Sequence, residues 1–395
     1  MAAELKAVDF SNTKVAFEAK SDKDLLDTAR LFNLMNNSTL VNLGSKLTLA
    51  AIKLRVPFVE TAIEKTIFKQ FCGGTHLMDS QSTIDLLYQH GVATILDYGA
   101  EGKETEEEFD QVMEENLKAI DFAASNESVP VISTKVSGLA SNAILQKVQE
   151  GSDLTELETA RHQALKKRLH KICSHARDRN VGIFIDAEET WIQDTIDSLV
   201  YELMEEYNRE TIIVYNTYQM YRKDMLDHLT RDFEVARSKG YILGAKLVRG
   251  AYMEKERERA LELGYESPIN NTKAETDELY DNGIRFCVSH YEQIASANAS
   301  HNLKSNQLQA ELIHQKGIVK DHTHLNFCQL LGMSDHLTFN LAKEGYNVAK
   351  YVPYGPVKDV IPYLIRRAQE NSSVTGEMGR EYALISEELR RRGLA

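Results

Sequence analysis

The chain has 395 residues, of which 43% are hydrophobic and 27% are charged, and its net charge is −13. This composition is typical of a soluble globular protein with one large domain or two to three ordinary ones. The acidic balance argues against nucleic acid or an anionic membrane surface as a general partner, so an anionic ligand needs a local cluster of positive groups.

The cysteines Cys72, Cys173, Cys287 and Cys328 lie far apart, with no CxxC pair, which indicates reduced thiols in a cytosol-like compartment. The first residues have neither an apolar signal core nor the Arg-rich character of a transit peptide. We therefore expect a cytoplasmic protein that can associate with a membrane. A removed presequence would instead place it on the matrix side of the mitochondrial inner membrane.

Residues 1–82 are predicted to form an N-terminal helical segment, because amphipathic stretches without a strand pattern fill them. Within this region, residues 40–68 are apolar with lysines at intervals. Such a stretch more often packs on a core, and lying against a membrane surface is the alternative.

From residue 83 to residue 395, short apolar runs alternate with stretches long enough for a helix. The runs predicted as strands are 93–99, 129–137, 181–188, 211–218, 241–250, 285–290, 324–332 and 347–355. Helices are predicted at 105–124, 155–178, 191–207, 219–239, 254–282, 291–300, 335–344 and 357–371. Eight such units predict an α/β fold with a closed (β/α)8 barrel. A doubly wound open sheet is the alternative, but it usually has fewer strands and a Gly-rich first turn.

In such a barrel the chemistry takes place at the C-terminal ends of the strands. Lys135 ends an otherwise apolar strand, where a lysine serves either in an ion pair or as a Schiff-base nucleophile. Asp186 ends a Val/Ile/Phe strand and must be paired or near solvent. The neighbouring Glu188 and Glu189 are more simply a helix start. The other residues predicted at strand ends are Asp97, Asn216, Arg249, Ser289, His290, Gln329 and Tyr351.

The stretch GAKLVRGAY (244–252) ends the fifth predicted strand. Gly250 lets the backbone approach another group closely, and Lys246 and Arg249 bring positive charge to it. Tyr252 follows near the barrel mouth. A phosphate-bearing cofactor over the strand ends would account for all four residues.

The pair His322 and His324 precedes its predicted strand and so falls at the opposite end of the barrel. No further residue with metal-ligand spacing is nearby, and we expect no metal site.

The stretch YLIRRAQEN (363–371) places Tyr363, Arg366, Arg367 and Glu370 on one helix face, at positions i, i+3, i+4 and i+7. One interpretation is a solvated surface with a local ion pair. The other is an anion clamp, in which two guanidinium groups bind a small carboxylate and the acid holds one of them in place.

These motifs in order resemble the proline dehydrogenase family: ILDYG, STKVSGL, FIDAEE, YNTYQMY, KLVRGAY, SHYEQIA, FCQLLGM, YVPYG and YLIRRAQENSS. The resemblance is nearest to the monofunctional, eukaryotic-type branch. It implies a distorted (β/α)8 barrel with the last helix over the barrel mouth, and noncovalently bound FAD. The reaction it implies is the first step of proline catabolism, oxidation of L-proline to Δ1-pyrroline-5-carboxylate, with hydride passing to flavin N5 and electrons to a membrane quinone.

The resemblance also implies residue roles. Lys135, Arg366 and Arg367 are expected to bind the substrate carboxylate, Glu370 to fix one of the arginines, and Asp186 to join the polar network around flavin and substrate. The substrate ring is expected to lie against Tyr252, Leu330, Tyr351 and Tyr363. FAD is expected to contact Asn216, Lys246, Val248, Arg249, Gly250, Ala251, Ser289 and His290.

Three of these positions depart from other family members: many bacterial members have arginine at Lys246 and glutamine at Asn216, and Ser289 replaces a common threonine, which keeps the hydroxyl. Tyr351 stands where hydroxyproline-oxidising relatives have a smaller residue, which favours proline over trans-4-hydroxyproline. No histidine falls among the substrate positions, so we expect a free-amine substrate or a water-mediated proton transfer.

Two alternatives of other classes stay open. A Schiff-base lyase would use Lys135 covalently and would leave GAKLVRGAY unexplained. A barrel that serves only as a binding protein would need neither the intact clamp nor the flavin motif. Flavin absorbance distinguishes the dehydrogenase from both.

Overall fold

The computed structural model describes residues 7–54, 58–99, 103–373 and 377–394. The strands are β1 (Ala93–Tyr98), β2 (Val131–Lys135), β3 (Gly182–Asp186), β4 (Val214–Gln219), β5 (Leu243–Val248), β6 (Ile294–Ala299), β7 (Leu325–Leu330) and β8 (Val348–Tyr354). The helices are α1 (Thr13–Ala16), α2 (Asp22–Met35), α3 (Ser38–Lys53), α4 (Val59–Ile63), α5 (Lys69–Phe71), α6 (Gln81–Gln89), α7 (Glu106–Ala124), α8 (Asn142–Gln149), α9 (Glu156–Arg179), α10 (Thr190–Tyr207), α11 (Met225–Lys239), α12 (Met253–Leu263), α13 (Lys273–Ser289), α14 (Leu303–Gln315), α15 (Asp335–Lys343), α16 (Val357–Ser373) and α17 (Glu377–Arg391).

The eight strands form a closed barrel in chain order, β1 to β8, and this confirms the predicted (β/α)8 fold. The paired strands are parallel, for example β1 with β8 and β2 with β3. Strand interiors are buried, and every residue of β4 is buried, because helices cover the outside and side chains fill the inside. Parallel closure brings the carboxyl ends of the strands to one rim.

Seven predicted strands overlap the observed ones, and the sixth is wrong. Residues 285–290 form the last turn of α13 and its cap, and β6 lies at Ile294–Ala299, within a stretch predicted as helix. The apolar residues Ile284, Cys287 and Val288 are the buried face of α13, at helical spacing. Strand β6, with the sequence IASANA, is built from small residues and gave a weaker signal.

Threonine caps fix where several barrel helices begin. In α7, α9 and α13 a threonine precedes the helix and a glutamate follows three positions later, and each side chain accepts a hydrogen bond from the other residue's backbone N–H. The pairs are Thr105 with Glu108, Thr155 with Glu158 and Thr272 with Glu275. These caps stabilise the helices that follow β1, β2 and β5 in the chain.

The chain divides into two compact units. Unit 1 comprises residues 1–99, 301–303 and 328–395, and unit 2 comprises residues 100–300 and 304–327. The boundary at residue 82 between a helical segment and a barrel domain stays a prediction. Among the described residues, no helix has both the length and the apolar character needed to cross a bilayer.

In unit 1 the helices before β1 and after β8 share one apolar cluster. Buried members include Phe32 of α2, Phe71 of α5, Leu364 of α16 and Ile385 of α17. The helices at the two ends of the sequence are therefore held together by the same hydrophobic contacts.

Helix α17 carries a buried carboxylate into this unit. Glu381 is 5% exposed, and its Oε1 accepts a hydrogen bond from the Ser334 N–H at 2.6 Å. Nearby, Asp335 pairs with the buried Lys350 at 2.9 Å. Burial, together with the charge of Asp335, raises the pKa of Glu381 to about 7. The folded state therefore favours the protonated form of this side chain.

Because the pKa of Glu381 is raised from 4.5 to about 7, the folded state binds more protons than the unfolded state in that pH window. The contribution of this group to stability then falls as the pH rises through the window. Glu381→Gln removes this dependence and keeps an acceptor oxygen. We expect the variant to gain up to about 3 kcal/mol relative to the wild type between about pH 5 and about pH 8, measured by urea unfolding.

The control is Glu387→Gln, which changes an exposed glutamate on the same helix. It should leave the pH dependence of the unfolding free energy unchanged. An equal response of the two variants would contradict the role assigned to Glu381.

Candidate active site

Strands β2 and β3 end side by side at the rim of unit 2, where Lys135 is in register with Asp186. Asp186 forms an ion pair with Lys246 of β5. The side chain of Lys246 is 5% exposed, and its Nζ lies 5.3 Å from the ring centre of Phe184. A buried cation and its carboxylate thus connect β3 to β5.

Glu188 and Glu189 follow β3 and have different surroundings. Glu189 is the N-cap of α10, so the predicted helix start is confirmed, and it pairs with Lys255 at 2.8 Å. Glu188 is buried and accepts a hydrogen bond from the Ser137 N–H at 2.9 Å. Burial raises the pKa of Glu188 to about 7, although the nearby Lys135 opposes the shift.

Arg249, directly after β5, is held by three polar contacts. Its Nε donates to Asp277 at 2.7 Å, and its two Nη atoms donate to Ser300 at 2.7 Å and to Ser305 at 3.0 Å. The guanidinium carbon also lies 4.3 Å from the ring centre of Tyr280. A guanidinium carries five N–H groups, so this arrangement fixes its orientation and leaves two N–H groups for a ligand.

The close approach predicted at Gly250 involves a neighbouring side chain. Gly250 has φ 126°, and a Cβ built there would lie 2.6 Å from atoms of the Tyr221 ring. Glycine is therefore required by the turn and by Tyr221, whether or not a cofactor is present. Beside it, Val248 ends β5, Ala251 is exposed and Tyr252 is half-buried at the start of α12.

Asn216 does not end its strand. It lies within β4, is 1% exposed and donates to Asp197 of α10 at 2.9 Å, so its side chain faces the surrounding helix layer. Sequence reasoning placed Asn216 at the strand end, but β4 continues for three residues beyond it. The residue that ends β4 is Gln219, whose Nε2 donates to the Glu188 backbone oxygen at 2.7 Å.

Ser289 and His290 precede β6, so their predicted place at its carboxyl end is wrong. Ser289 is the exposed last residue of α13, and His290 caps that helix. The centre of the His290 ring lies 4.6 Å from the ring centre of Phe233 and 4.5 Å from that of Phe286. The residues that directly follow β6 are Ser300 and His301. The sequence did contain a signal for this pair: a serine and a histidine, in that order, directly follow the alternating small residues of β6.

In unit 1, the residues Leu330 and Tyr351 lie on neighbouring strands. Leu330 ends β7, and the backbone N–H of the next residue, Leu331, donates to the backbone carbonyl oxygen of Tyr351 at 2.9 Å. Tyr351 lies within β8 and is 8% exposed.

Helix α16 buries Val360, Leu364 and Ala368 in the helical cluster of unit 1, and Tyr363 packs against the same cluster. Arg366 is half-buried. Arg367 is 8% exposed, and its guanidinium carbon lies 5.4 Å from the Tyr363 ring centre. The burial of Arg367 contradicts the solvated-surface interpretation.

Glu370 belongs to α16, but its side chain lies outside the described part of the structure. Its predicted contact with one of the arginines stays a prediction.

A closed parallel barrel with cations, a carboxylate and hydroxyls after its strands defines an α/β-barrel protein with the usual place for an enzyme site. A sequence profile described as proline dehydrogenase matches residues 80–380. The chain therefore belongs to the proline dehydrogenase family, a family of FAD-dependent oxidoreductases.

Three relatives show the range of this similarity. The carbapenem antibiotics biosynthesis protein CarD of Pectobacterium carotovorum subsp. carotovorum is 33% identical over 82% of this chain and 83% of its own length. Hydroxyproline dehydrogenase of Xenopus laevis is 30% identical over 98% of this chain and 90% of its length. Human mitochondrial proline dehydrogenase 1 is 41% identical, but over 61% of this chain and 41% of its length.

The chain thus spans less than half of the human enzyme, and 35% of the Drosophila melanogaster enzyme.

Among solved structures, proline utilization A from Bdellovibrio bacteriovorus superposes with a TM-score of 0.73 at 20% identity, over 93% of this chain and 39% of that one. This likeness supports the fold.

The Lys246–Asp186 pair allows a stability test. Asp186→Asn removes the negative charge beside a buried cation, and we expect a loss of about 3 kcal/mol in the unfolding free energy of the flavin-free protein. Adding Lys246→Met should recover most of this loss, because the cation is then gone as well. Urea unfolding of the two variants measures both values.

The control is Glu266→Gln, which breaks an exposed ion pair with Lys223 and should cost less than about 1 kcal/mol. If the double variant is as unstable as Asp186→Asn alone, the loss does not come from the buried charge.

Proposed function

We propose that this protein oxidises L-proline to Δ1-pyrroline-5-carboxylate with bound FAD and passes the electrons to a membrane quinone. The observation that carries the proposal is the polar face of α16, where Arg367 is buried beside Tyr363. A buried guanidinium next to an aromatic ring suits a small apolar ring that bears a carboxylate. Membership of the proline dehydrogenase family supports the same reaction.

The residues after β5 and β6 fit an anionic cofactor such as FAD. Arg249 has a fixed orientation with two N–H groups remaining, and Lys246 adds a second positive charge. We assign the cofactor contacts to these two residues, to the backbone of Val248, Gly250 and Ala251, and to Gln219, Ser300 and His301. The last three replace Asn216, Ser289 and His290 because they occupy the ends of β4 and β6.

The substrate carboxylate is assigned to Lys135, Arg366 and Arg367, because their positive charges stabilise a carboxylate. The ring is assigned to Tyr252, Leu330, Tyr351 and Tyr363, which exclude water from the reacting carbon. Asp186 holds Lys246 in place through their ion pair. FAD, when bound, accepts the hydride that leaves the ring carbon beside nitrogen.

No histidine belongs to the proposed substrate residues, so the amine must lose its proton in another way. Binding of the free amine, or proton transfer through water, meets this requirement. The family match favours this flavin chemistry over the Schiff-base lyase, which would need no flavin.

Hydroxyproline is the second candidate substrate, because the Xenopus laevis hydroxyproline dehydrogenase matches 98% of this chain. Tyr351 favours proline, because this residue is only 8% exposed and a hydroxyl on the substrate ring needs extra space and a polar partner.

The FAD-loaded protein should bleach on anaerobic addition of L-proline, because hydride transfer reduces the flavin. Stopped-flow absorbance measures the rate, and trans-4-hydroxyproline provides the comparison. We expect a higher kcat/KM for L-proline. A yellow protein that bleaches only with hydroxyproline would replace the substrate, and a protein that binds no flavin would contradict the proposed reaction.

The arginines can be tested singly. Charge-assisted hydrogen bonds contribute roughly 1.5–3 kcal/mol each, which is about tenfold to 150-fold in binding. Arg366→Met and Arg367→Met should each raise the KM for L-proline by at least about tenfold while FAD stays bound. Inhibition by tetrahydrofuran-2-carboxylate, which keeps the carboxylate and lacks the amine, should weaken in parallel.

Arg390→Met on α17 is the matched control, since it removes an exposed arginine of the same unit. A normal KM in both α16 variants would show that the arginines do not bind substrate. Loss of FAD in these variants would instead indicate a defect in the fold.

A further inference from the structure

Residues 249–252 connect β5 to α12 in unit 2. The first of them, Arg249, is fixed by three polar contacts of its guanidinium group. The last, Tyr252, is the N-cap of α12, and its backbone oxygen accepts a hydrogen bond from the Glu256 N–H at 2.9 Å. The position of Tyr252 therefore depends on what holds the first turn of α12.

Glu256 lies in this turn and is 0% exposed. A carboxylate that is removed from water needs hydrogen-bond donors around it. Both donors come from Thr190, the first residue of α10: Oε1 accepts from its backbone N–H at 2.7 Å, and Oε2 accepts from its hydroxyl at 2.6 Å. The first turn of α12 is thus attached to the start of α10.

The start of α10 has no capping side chain of its own. The first N–H groups of a helix have no partner within the helix, and a side chain at the N-cap commonly accepts one of them. The N-cap of α10, Glu189, makes no such hydrogen bond with its side chain. Glu256 supplies the acceptor from another helix, and it also places a negative charge at the positive end of the α10 dipole.

Two weaker contacts accompany this one. Lys255 pairs with Glu189 at 2.8 Å, and its Nζ lies 5.4 Å from the ring centre of Tyr252. The guanidinium carbon of Arg259 lies 4.5 Å from the ring centre of Trp191. The side chain of Lys255 is 64% exposed, and exposed ion pairs contribute little to stability. The buried carboxylate is therefore the main attachment between the two helices.

The attachment also relates the connection after β5 to the connection after β3. Only residues 187–189 separate Asp186, at the end of β3, from the start of α10. A helix start that is fixed relative to Asp186 is thus bonded to the helix turn that begins at Tyr252. The Lys246–Asp186 ion pair joins β3 to β5 within the barrel, and Glu256 joins them a second time through the helices.

We propose that Glu256 is a positioning residue, whose carboxylate caps α10 and thereby holds Tyr252 where the substrate ring binds. The inference rests on the proposed function, because that function assigns Tyr252 to the ring. Glu256 itself is enclosed by protein and acts through Tyr252, one helical turn before it. Small displacements of a positioning group are costly to binding and reaction.

The first test compares Glu256→Ala with Glu256→Gln at excess FAD. Alanine removes both acceptor oxygens and should raise the KM for L-proline at least about tenfold, with a smaller change in kcat. Glutamine keeps an acceptor for the Thr190 N–H, and its amide can donate to the Thr190 hydroxyl, so it should restore most of the wild-type KM.

The matched control is Glu258→Ala, which removes an exposed glutamate of the same helix and should leave the KM unchanged. Thr190→Val is a milder change at the same contact, since it removes the hydroxyl and keeps the N–H. It should raise the KM at least about threefold, and it provides the measurement if Glu256→Ala does not fold. Circular dichroism and thermal unfolding check the fold of each variant.

A double-mutant cycle with Tyr252→Ala distinguishes positioning from a general loss of structure. If Glu256 acts through the Tyr252 side chain, Glu256→Ala should change the KM of the Tyr252→Ala protein by less than about twofold. Independent effects would multiply, and the double variant would then show the full increase of each single variant.

Trp191 is the single tryptophan of the chain, and its fluorescence reports the contact between α10 and α12 without substrate. Acrylamide should quench it more strongly in Glu256→Ala than in the wild type, because a detached α12 exposes the indole. Glu258→Ala should be quenched like the wild type.

Three results would overturn the inference: a normal KM in both Glu256→Ala and Thr190→Val, multiplied effects in the cycle with Tyr252, or unchanged quenching of Trp191. A wild type that does not oxidise L-proline would instead contradict the proposed function. Trp191 quenching would then still show whether Glu256 holds α12 on α10.

Discussion

The ion pair between Lys246 and Asp186 is the constraint on which the rim of unit 2 depends. A lysine that is 5% exposed needs a negative charge nearby, and the carboxylate comes from the last residue of β3. The pair crosses β4 and fixes the ends of β3 and β5 relative to each other. Arg249, three residues after Lys246, is then oriented by Asp277, Ser300 and Ser305. The rim is therefore a preorganised set of charges, in which little has to move when an anionic group binds.

The barrel could be predicted because parallel strands covered on both faces leave long apolar runs in the sequence. The same reasoning failed at β6, where Ala295, Ala297 and Ala299 are too small to give such a run, while the buried face of α13 imitates one. Because of this misassignment, the candidate residues Ser289 and His290 were expected at the carboxyl end of β6, whereas they precede that strand. Asn216 was misplaced for another reason. The sequence does not distinguish an asparagine whose side chain bonds to Asp197 on a helix from an asparagine whose side chain faces a ligand.

Helix α16 shows how far a local pattern can be interpreted. The spacing of Tyr363, Arg366 and Arg367 places them on one face from sequence alone. Whether that face meets water depends on tertiary packing, which no spacing encodes, and the 8% exposure of Arg367 decides it. The apolar side chains of α16 pack against the N-terminal helices. The same helix therefore connects the candidate substrate residues to the part of unit 1 that contains α3.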